Sequence, residues 1–464
     1  MAEASTIIDR TLAPLRRALF GSPGPGDNVR LTSDALDKVR EKINDCLEHR
    51  GGEVSARVRA AELGHLYLTL DDAGRERFLR LLAEEYGLDR DALDQAMAAV
   101  QAASDRDGRR VAEQVLRQTL IPRRVSLLTQ FNAVPQGVKF LVDMRADLLP
   151  VARRHPDLRS LDDDFRRLLA SWFDIGFLEL RAIDWDAPAA LLEKLIAYES
   201  VHEIRSWDDL KNRLGPDRRC FAFFHPRMPD EPLIFVEVAL VKGMASNVQT
   251  LLDEHAPETD VDAADTAIFY SISNCQAGLA GVSFGNFLIK RVVDELRRDL
   301  PNLKTFATLS PIPGFRHWLE GRMGQQGEVA FWSAAEARTL VGLADEAEPD
   351  VALRQLLARP GWWEDAQFAD GLRPILQRAC ATYLLEARRG TQVDDRVEHF
   401  HLSNGARLER INWLADVSPN GMRQSSGLMV NYLYRLAEID KNHEAYRGSG
   451  KVVASTTVRR LAKA

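Results

Sequence analysis

Cysteine is scarce in this chain: Cys46, Cys220, Cys275 and Cys380 are the four in 464 residues, and no two form a C-x-x-C pair. Such spacing builds neither a structural zinc site nor a disulfide framework, and it suits a reducing compartment. Long apolar runs are also missing. The best, PLIFVEVALV (232–241), is too short for a membrane span and carries Glu237, so a buried strand explains it. Positive charge is not in excess: 61 Lys and Arg face 68 Asp and Glu, a net of −7, which excludes a dedicated basic nucleic-acid binder. Internal repeats and low-complexity tracts are absent. In MAEASTIIDRTLAPLRRALF, Arg10, Arg16 and Arg17 are spaced as in a mitochondrial presequence, but Glu3 and Asp9 favour a first amphipathic helix. The last residues, RRLAKA, are not a peroxisomal signal. A cytoplasmic protein without membrane or nucleic-acid partners is expected.

What is present indicates a well-folded chain of more than one domain. Hydrophobic residues make up 45% and charged residues 28%, and 464 residues exceed one ordinary core. The first part reads as helices. Leu36, Val39, Ile43 and Leu47 share a face, with Thr32 or Ser33 as cap and Gly51-Gly52 as stop; Phe78, Leu81 and Leu82 repeat the pattern after a Thr69 cap, with Gly87 as stop. A helical interaction or oligomerisation domain over 1–182 follows. Beyond it the rhythm changes. CFAFFHP and PLIFVEVALV read as a hairpin around RMPDE; TAIFYSIS (266–273) and KTFATLS (304–310) read as strands between helical runs. The second domain, 183–464, is therefore mixed α/β or α+β.

GVSFG (281–285) matches G-x-S-x-G, which would make Ser283 a hydrolase nucleophile. That elbow needs a strand running directly into the serine, whereas NCQAGLA separates the strand from Gly281. The same residues serve better as an anion cradle. Gly278, Gly281 and Gly285 precede a helix with Ile289, Val292, Val293 and Leu296 on its apolar face, and its first amides are unpaired. A surface loop with a helix cap is the plain alternative. Strand, glycine-rich loop, helix and strand in this order match an acetyltransferase-like (GNAT) acyl-CoA fold, with the acyl-pantetheine arm between two splayed strands and Ser310 near its acyl end.

FATLSPIPGFRHWL (306–319), FHLSNGARLERINWLADVS (400–418), GLMVNYLY (427–434), GLAGVSFGNFLIKRVV (278–293) and VHEIRSWDDLKNRLGPDRRCF (201–221) strongly resemble the malonyl-CoA decarboxylase family. The resemblance covers most of the chain after about residue 170. It implies an α+β chain: a four-helix-like N-terminal domain that mediates assembly into a dimer or tetramer, then a GNAT-like catalytic domain. It implies conversion of malonyl-CoA to acetyl-CoA and CO2 with no cofactor and no metal. It assigns catalysis to Ser310 in S-P-I-P-G-F and His401 in F-H-L-x-N-G-A. It assigns CoA binding to Ala280, Gly281, Val282, Ser283, Phe284, Gly285 and Asn286, although some members carry an acidic residue where this chain has Ser283.

The residues alone leave these roles open. SPIPG is also an ordinary turn, and His401 an ordinary hydrogen-bonding histidine; His399 and His401 would share one face of a strand beside the Asn404–Gly405 turn. Asn431, Tyr432 and Tyr434 read as a helix capped by Ser425 or Ser426 that lines the pocket or packs the core. Arg218 and Arg219 read as phosphate contacts or as a solvated turn. Chemically, the thioester carbonyl accepts the electrons released on decarboxylation, so the protein supplies hydrogen-bond donors, orientation and a proton. An acyl-CoA N-acyltransferase, a serine hydrolase of the thioester and a non-catalytic acyl-CoA sensor remain alternatives.

Overall fold

The computed structural model describes residues 30–48, 52–132, 134–282, 288–323 and 331–463. Apolar residues at helical spacing give eight described helices between Ser33 and Trp172, twice the four that the resemblance suggests. Thr32 caps the first, accepting from the Ala35 amide. That helix stops at Leu47, and Gly52 starts the next rather than ending this one. Thr69 is not a cap: it is the last residue of the helix Gly52–Thr69, and its hydroxyl donates back to Leu66 O at 2.8 Å. Asp71 takes over the cap, accepting from the Gly74 amide at 2.7 Å. Val39, Ile43, Leu63, Phe78, Leu82, Phe131, Leu148 and Phe165 form one buried core. Tyr67 meets Phe78 and Phe140 edge-on within it and donates its hydroxyl to Asp147 at 2.9 Å.

The chain divides into two compact units. The first comprises Met1–Glu179 together with Phe224–Leu233 and Cys275–Phe284; the second comprises the rest. A single cut at 182 does not see these two excursions. The second of them is held by the first unit: Arg145 is buried and donates to Gly278 O at 2.7 Å and Ala280 O at 2.8 Å. A side chain at 278 would collide with Val142 O, so only glycine permits the approach.

The sheet runs through strands β1 (Glu179–Ile183), β2 (Arg218–His225), β3 (Met228–Val241), β4 (Thr266–Asn274), β5 (Thr305–Thr308) and β6 (Ser310–Pro311). A small ribbon, β7 (Arg388–Arg389) with β8 (Gln392–Val393), stands apart, and β9 (Arg407–Asn412) and β10 (Met429–Leu433) complete the set. The order is β1-β2-β3-β4-β5-β10-β6, with β9 on β10. Met228–Glu231 belong to β3, so the hairpin turns at Pro226–Arg227, earlier than RMPDE suggested. The helix Leu288–Asp299 links β4 to β5, which pair in parallel from Thr266↔Thr305 to Phe269↔Thr308. Leu309 still donates to Phe269 O at 3.0 Å, but β4 continues to Asn274 while β6 turns onto β10 through Val430↔Ser310. The two strands therefore part beyond Phe269 and Thr308. Among the described residues no helix is long and apolar enough to cross a membrane.

Candidate active site

Where β4 and β6 separate, a cavity of about 520 Å³ opens, lined among others by Tyr270, Ile272 and Asn274 from β4 and by Ser310 and Pro311 from β6. His401 and Phe400 form another wall. Ser310 and His401 are both buried, at 5% and 2% exposure, and Ser310 Oγ lies 3.0 Å from His401 Nε2.

His401 reaches this point from the helix Arg396–Ser403, not from a strand. Asp395 caps the helix, accepting from the Val397 and Glu398 amides at 2.9 and 3.1 Å. Gly405, at φ +79°, ends it; a Cβ there would lie 2.3 Å from Ile439 O. The Asn-Gly signal is thus a helix stop. Residues two apart on a helix point roughly 200° apart. His399 accordingly turns to the Tyr446 hydroxyl, 2.7 Å away, while His401 turns to Ser310.

Asn431 and Tyr432 also lie on a strand, β10, and not on a helix; Ser425 closes the preceding helix Pro419–Ser425 and Ser426 follows it in the left-handed region. Neighbours on a strand face opposite sides. Asn431 points away from the cavity, donates to Thr308 O at 2.7 Å and accepts from Asn412 at 2.8 Å. Tyr432 stacks on the His401 ring with centroids 4.5 Å apart. Neither lines the cavity. Tyr434, two residues on and so on the Tyr432 face, puts its hydroxyl 2.8 Å from His401 Nδ1. Thr308, two residues before Ser310, accepts the Ser310 proton at 2.8 Å and the Tyr432 amide at 3.1 Å. With that proton committed, His401 Nε2–H donates to Ser310 Oγ, and Nδ1 accepts from Tyr434. A chain of four groups, Tyr434–His401–Ser310–Thr308, results. The Tyr434 link was missed because β10 was read as a helix, which hides the shared face of Y-x-Y; Thr308 was missed although KTFATLS was read as a strand, and its signal is the T-x-S spacing that puts Thr308 and Ser310 on one face.

Burial pulls the His401 imidazole down to about 3, so it is neutral at pH 7. Its Nδ1 partner is a phenol rather than a carboxylate, and burial holds that phenol well above its ordinary range. A hydrolase base is built the other way, with a carboxylate that supports the imidazolium. Glu398, on the same helix, is buried, and burial followed by the Asp395 charge pushes its carboxyl well up.

The anchoring of the two halves is local. Asp395 Oδ2 accepts from the Gly314 amide of the SPIPG turn at 3.1 Å and from the Tyr383 hydroxyl at 3.3 Å, so one carboxylate ties the Ser310 turn to the His401 helix. A Cβ at Gly314 would sit 2.1 Å from that hydroxyl.

Of the predicted CoA-binding segment, Ala280, Gly281 and Val282 are described and Ser283, Phe284, Gly285 and Asn286 lie outside the described residues. The Ala280 and Val282 amides are already used, donating to Ala277 O at 3.1 Å and Leu279 O at 2.9 Å. Gly281 takes φ +73°, and its amide has no partner among the described residues. Arg218 is not a solvated turn residue: it is buried on β2, paired with Asp217 at 2.8 Å and donating to Leu251 O at 3.0 Å. Arg219 donates to Pro216 O at 2.8 Å. No group of three or more His, Cys, Asp or Glu among the described residues is arranged to hold a metal ion.

A family model described as malonyl-CoA decarboxylase C-terminal domain matches residues 176–464, and one described as its N-terminal domain matches 86–173. The mitochondrial malonyl-CoA decarboxylase of Anser anser anser is 38% identical over 436 residues, covering 91% of this chain and 84% of that protein. That of Rattus norvegicus is 36% identical over 471 residues, covering 97% and 95%. The crystal structure of malonyl-CoA decarboxylase from Rhodopseudomonas palustris aligns with a TM-score of 0.84 at 46% identity, covering 91% of this chain and 99% of that one. That from Agrobacterium vitis aligns at 0.82 and 44%, covering 92% and 99%. On the model matches and these identities together, the chain belongs to the malonyl-CoA decarboxylase family.

Proposed function

We propose that this chain converts malonyl-CoA to acetyl-CoA and CO2, with Ser310 and His401 at the reacting end and Tyr434 behind them. The observation that carries the assignment is the 3.0 Å contact between Ser310 Oγ and His401 Nε2 on the wall of the cavity between the parted strands. Beyond Phe269, β4 has lost β5 as a partner, which leaves an edge suited to the amides of an extended pantetheine arm. The thioester lies with its carbonyl toward the Ser310–His401 pair. Breaking the C–C bond releases CO2 and moves the electron pair into the thioester as an enolate, whose oxygen accepts a hydrogen bond from the Ser310 hydroxyl once that group turns from Thr308 Oγ1 to the substrate. Reprotonation at carbon draws on the same chain: Ser310 gives its proton, His401 Nε2–H restores it, and the Tyr434 phenol resupplies Nδ1. A proton from solvent returns the chain to its starting state after product leaves. The substrate's own carbonyl is the electron sink, so the reading calls for no metal and no organic cofactor.

The CoA-binding role of Ala280–Asn286 is carried over from the family motif. The assembly into a homo-oligomer through the helical unit is likewise proposed, supported by the exposure of Val111 and Val115 on the helix Arg106–Thr119, which buries none of its residues. The test is to incubate the protein with malonyl-CoA and follow acetyl-CoA, free CoA and CO2. Acetyl-CoA and CO2 in equal amounts are expected, with Ser310→Ala and His401→Gln each slower by on the order of 10²–10³. Free CoA without CO2, or variants as fast as the parent, would end the proposal.

A further inference from the structure

Just after the helix Ala189–Tyr198, one carboxylate meets the far end of β4. Glu199 Oε1 accepts from the Val201 and His202 amides at 2.8 and 2.7 Å. The Ser271 hydroxyl is shared between its two oxygens, 2.8 Å from each, and Ser273 Oγ donates to Oε2 at 3.1 Å. Ser273 Oγ accepts in turn from the Ser200 amide at 3.2 Å. Ser271 and Ser273 are buried, and both lie beyond Phe269, where β4 has no β5 beside it. Ile272 and Asn274, which alternate with them, line the cavity, and so do Ser200 and Val201. One carboxylate therefore ties together two walls of the cavity that holds Ser310 and His401. Behind it stands a second. Glu237 is the β3 partner of Ser271, in a register that skips Tyr270. It is 1% exposed and accepts from Arg213 Nη1 at 3.2 Å, with Asp209, Tyr270 and Glu199 around it. Burial, then the Glu199 charge, pushes its carboxyl up to about 8 in spite of Arg213. The proposed chemistry uses neither glutamate.

A strand end that has lost a neighbour stays extended only when other groups hold it. An edge already fixed in its bound shape takes an extended arm without a further ordering penalty. We infer that Glu199 is a positioning residue for the substrate arm: it fixes the free edge of β4 and the Ser200–Val201 wall, and Glu237 behind it governs how firmly. The inference rests on the proposed course of the pantetheine arm along β4 and adds the groups that prepare that edge. The described lining of the cavity does not include Glu199, so its loss acts on binding of the arm rather than on the reacting atoms. While Glu237 keeps its proton, Ser271 belongs to Glu199. Once ionised, Glu237 repels Glu199 and competes for the hydroxyl of Ser271, its cross-strand neighbour. Its carboxyl is raised, so the edge is held below about pH 8 and loosened above it.

The experiment measures KM and kcat for malonyl-CoA in the full chain and in its Glu199→Gln and Glu237→Gln variants. Glu199→Gln keeps the shape but turns one acceptor oxygen into a donor facing hydroxyls and amides. Its KM is expected to rise roughly ten- to hundredfold, with kcat within about twofold of the parent. A parental KM, or a loss confined to kcat, overturns the inference. The second readout is the pH profile, which stands whether or not Glu199→Gln folds. From about pH 7 to about pH 9 the parent's KM is expected to rise roughly three- to tenfold, while that of Glu237→Gln stays level. A level KM in the parent, or an equal rise in both proteins, overturns the inference. Calorimetric binding of acetyl-CoA needs no turnover and is expected to weaken in Glu199→Gln by about the factor seen in KM. If acetyl-CoA binds in this Glu199-dependent way to a parent that releases no CO2 from malonyl-CoA, the proposed function fails while the positioning role stands. If the parent does release CO2 and acetyl-CoA binds parent and variant equally, the inference alone fails.

Discussion

The His401 imidazole is pulled down to about 3 by burial, and no charged group offsets it. The sign follows directly. Protonation would add a charge in a dry site, so it sets in only near the acid end, and between pH 5 and 8 the ring stays neutral. The value of kcat/KM is therefore expected to show no ionisation near 6.5 belonging to His401. A step near that pH in the parent that vanishes in His401→Gln would show an imidazole that titrates normally, and the donor chain would be misassigned. Tyr434 is tested in the same chain. Removing only its hydroxyl in Tyr434→Phe leaves Nδ1 without its 2.8 Å partner and the relay without its last proton. A fall in kcat of about ten- to hundredfold is expected, with KM little changed, since the phenol is two groups removed from the substrate. A rise in KM at unchanged kcat would make Tyr434 a binding group instead.

At the scale of elements, the legible and the illegible parts separate by how much of the signal is local. The helix Leu288–Asp299 was legible because Ile289, Val292, Val293 and Leu296 repeat at helical spacing and are all buried. The segments bearing His401 and Tyr432 were read the wrong way round. RVEHFHLS is eight residues long, too short for periodicity to speak, and the decisive signals were the Asp395 cap before it and Gly405 after it. MVNYL is buried on both faces, so it lacks the alternation that marks a half-exposed strand. Asp395 also explains why a turn and a helix that are distant in sequence hold Ser310 and His401 together. Asp395→Ala removes a cap, the Gly314 acceptor and the Tyr383 acceptor at once. A loss of about 1–3 kcal/mol in unfolding free energy is expected, within the range for a lost cap and stranded buried donors. A kcat reduced more than KM is expected as well. The discriminating result is the double variant: in Ser310→Ala the Asp395 change should add little further loss of turnover, because the group it positions is gone. Full additivity would reduce Asp395 to a residue that only stabilises the fold.

At the scale of the molecule, the reading of a helical first part and a mixed second part rested on a change of rhythm near residue 180, and the unit boundary between Glu179 and Leu180 lies close to it. The two excursions at Phe224–Leu233 and Cys275–Phe284 were not legible, because they depend on tertiary contacts such as Arg145 with the Gly278 carbonyl that leave no local pattern. The helical unit holds one further unexplained feature. Arg106–Thr119 is a regular helix that buries nothing, and its partner Arg90–Ala102 buries only Ala96. Helices of this length gain most of their stability by burying an apolar face. Val111 and Val115, four residues apart and therefore adjacent on the surface, are 60% and 48% exposed. The proposed homo-oligomer would cover that face with a second copy of the chain. Val111→Asp with Val115→Asp should therefore lower the sedimenting mass to that of one chain. Because neither side chain is buried within the chain, its helical content should be retained at low temperature. An unchanged mass would remove this face from the interface, and a parent that sediments as a single chain would remove the proposal of an oligomer altogether.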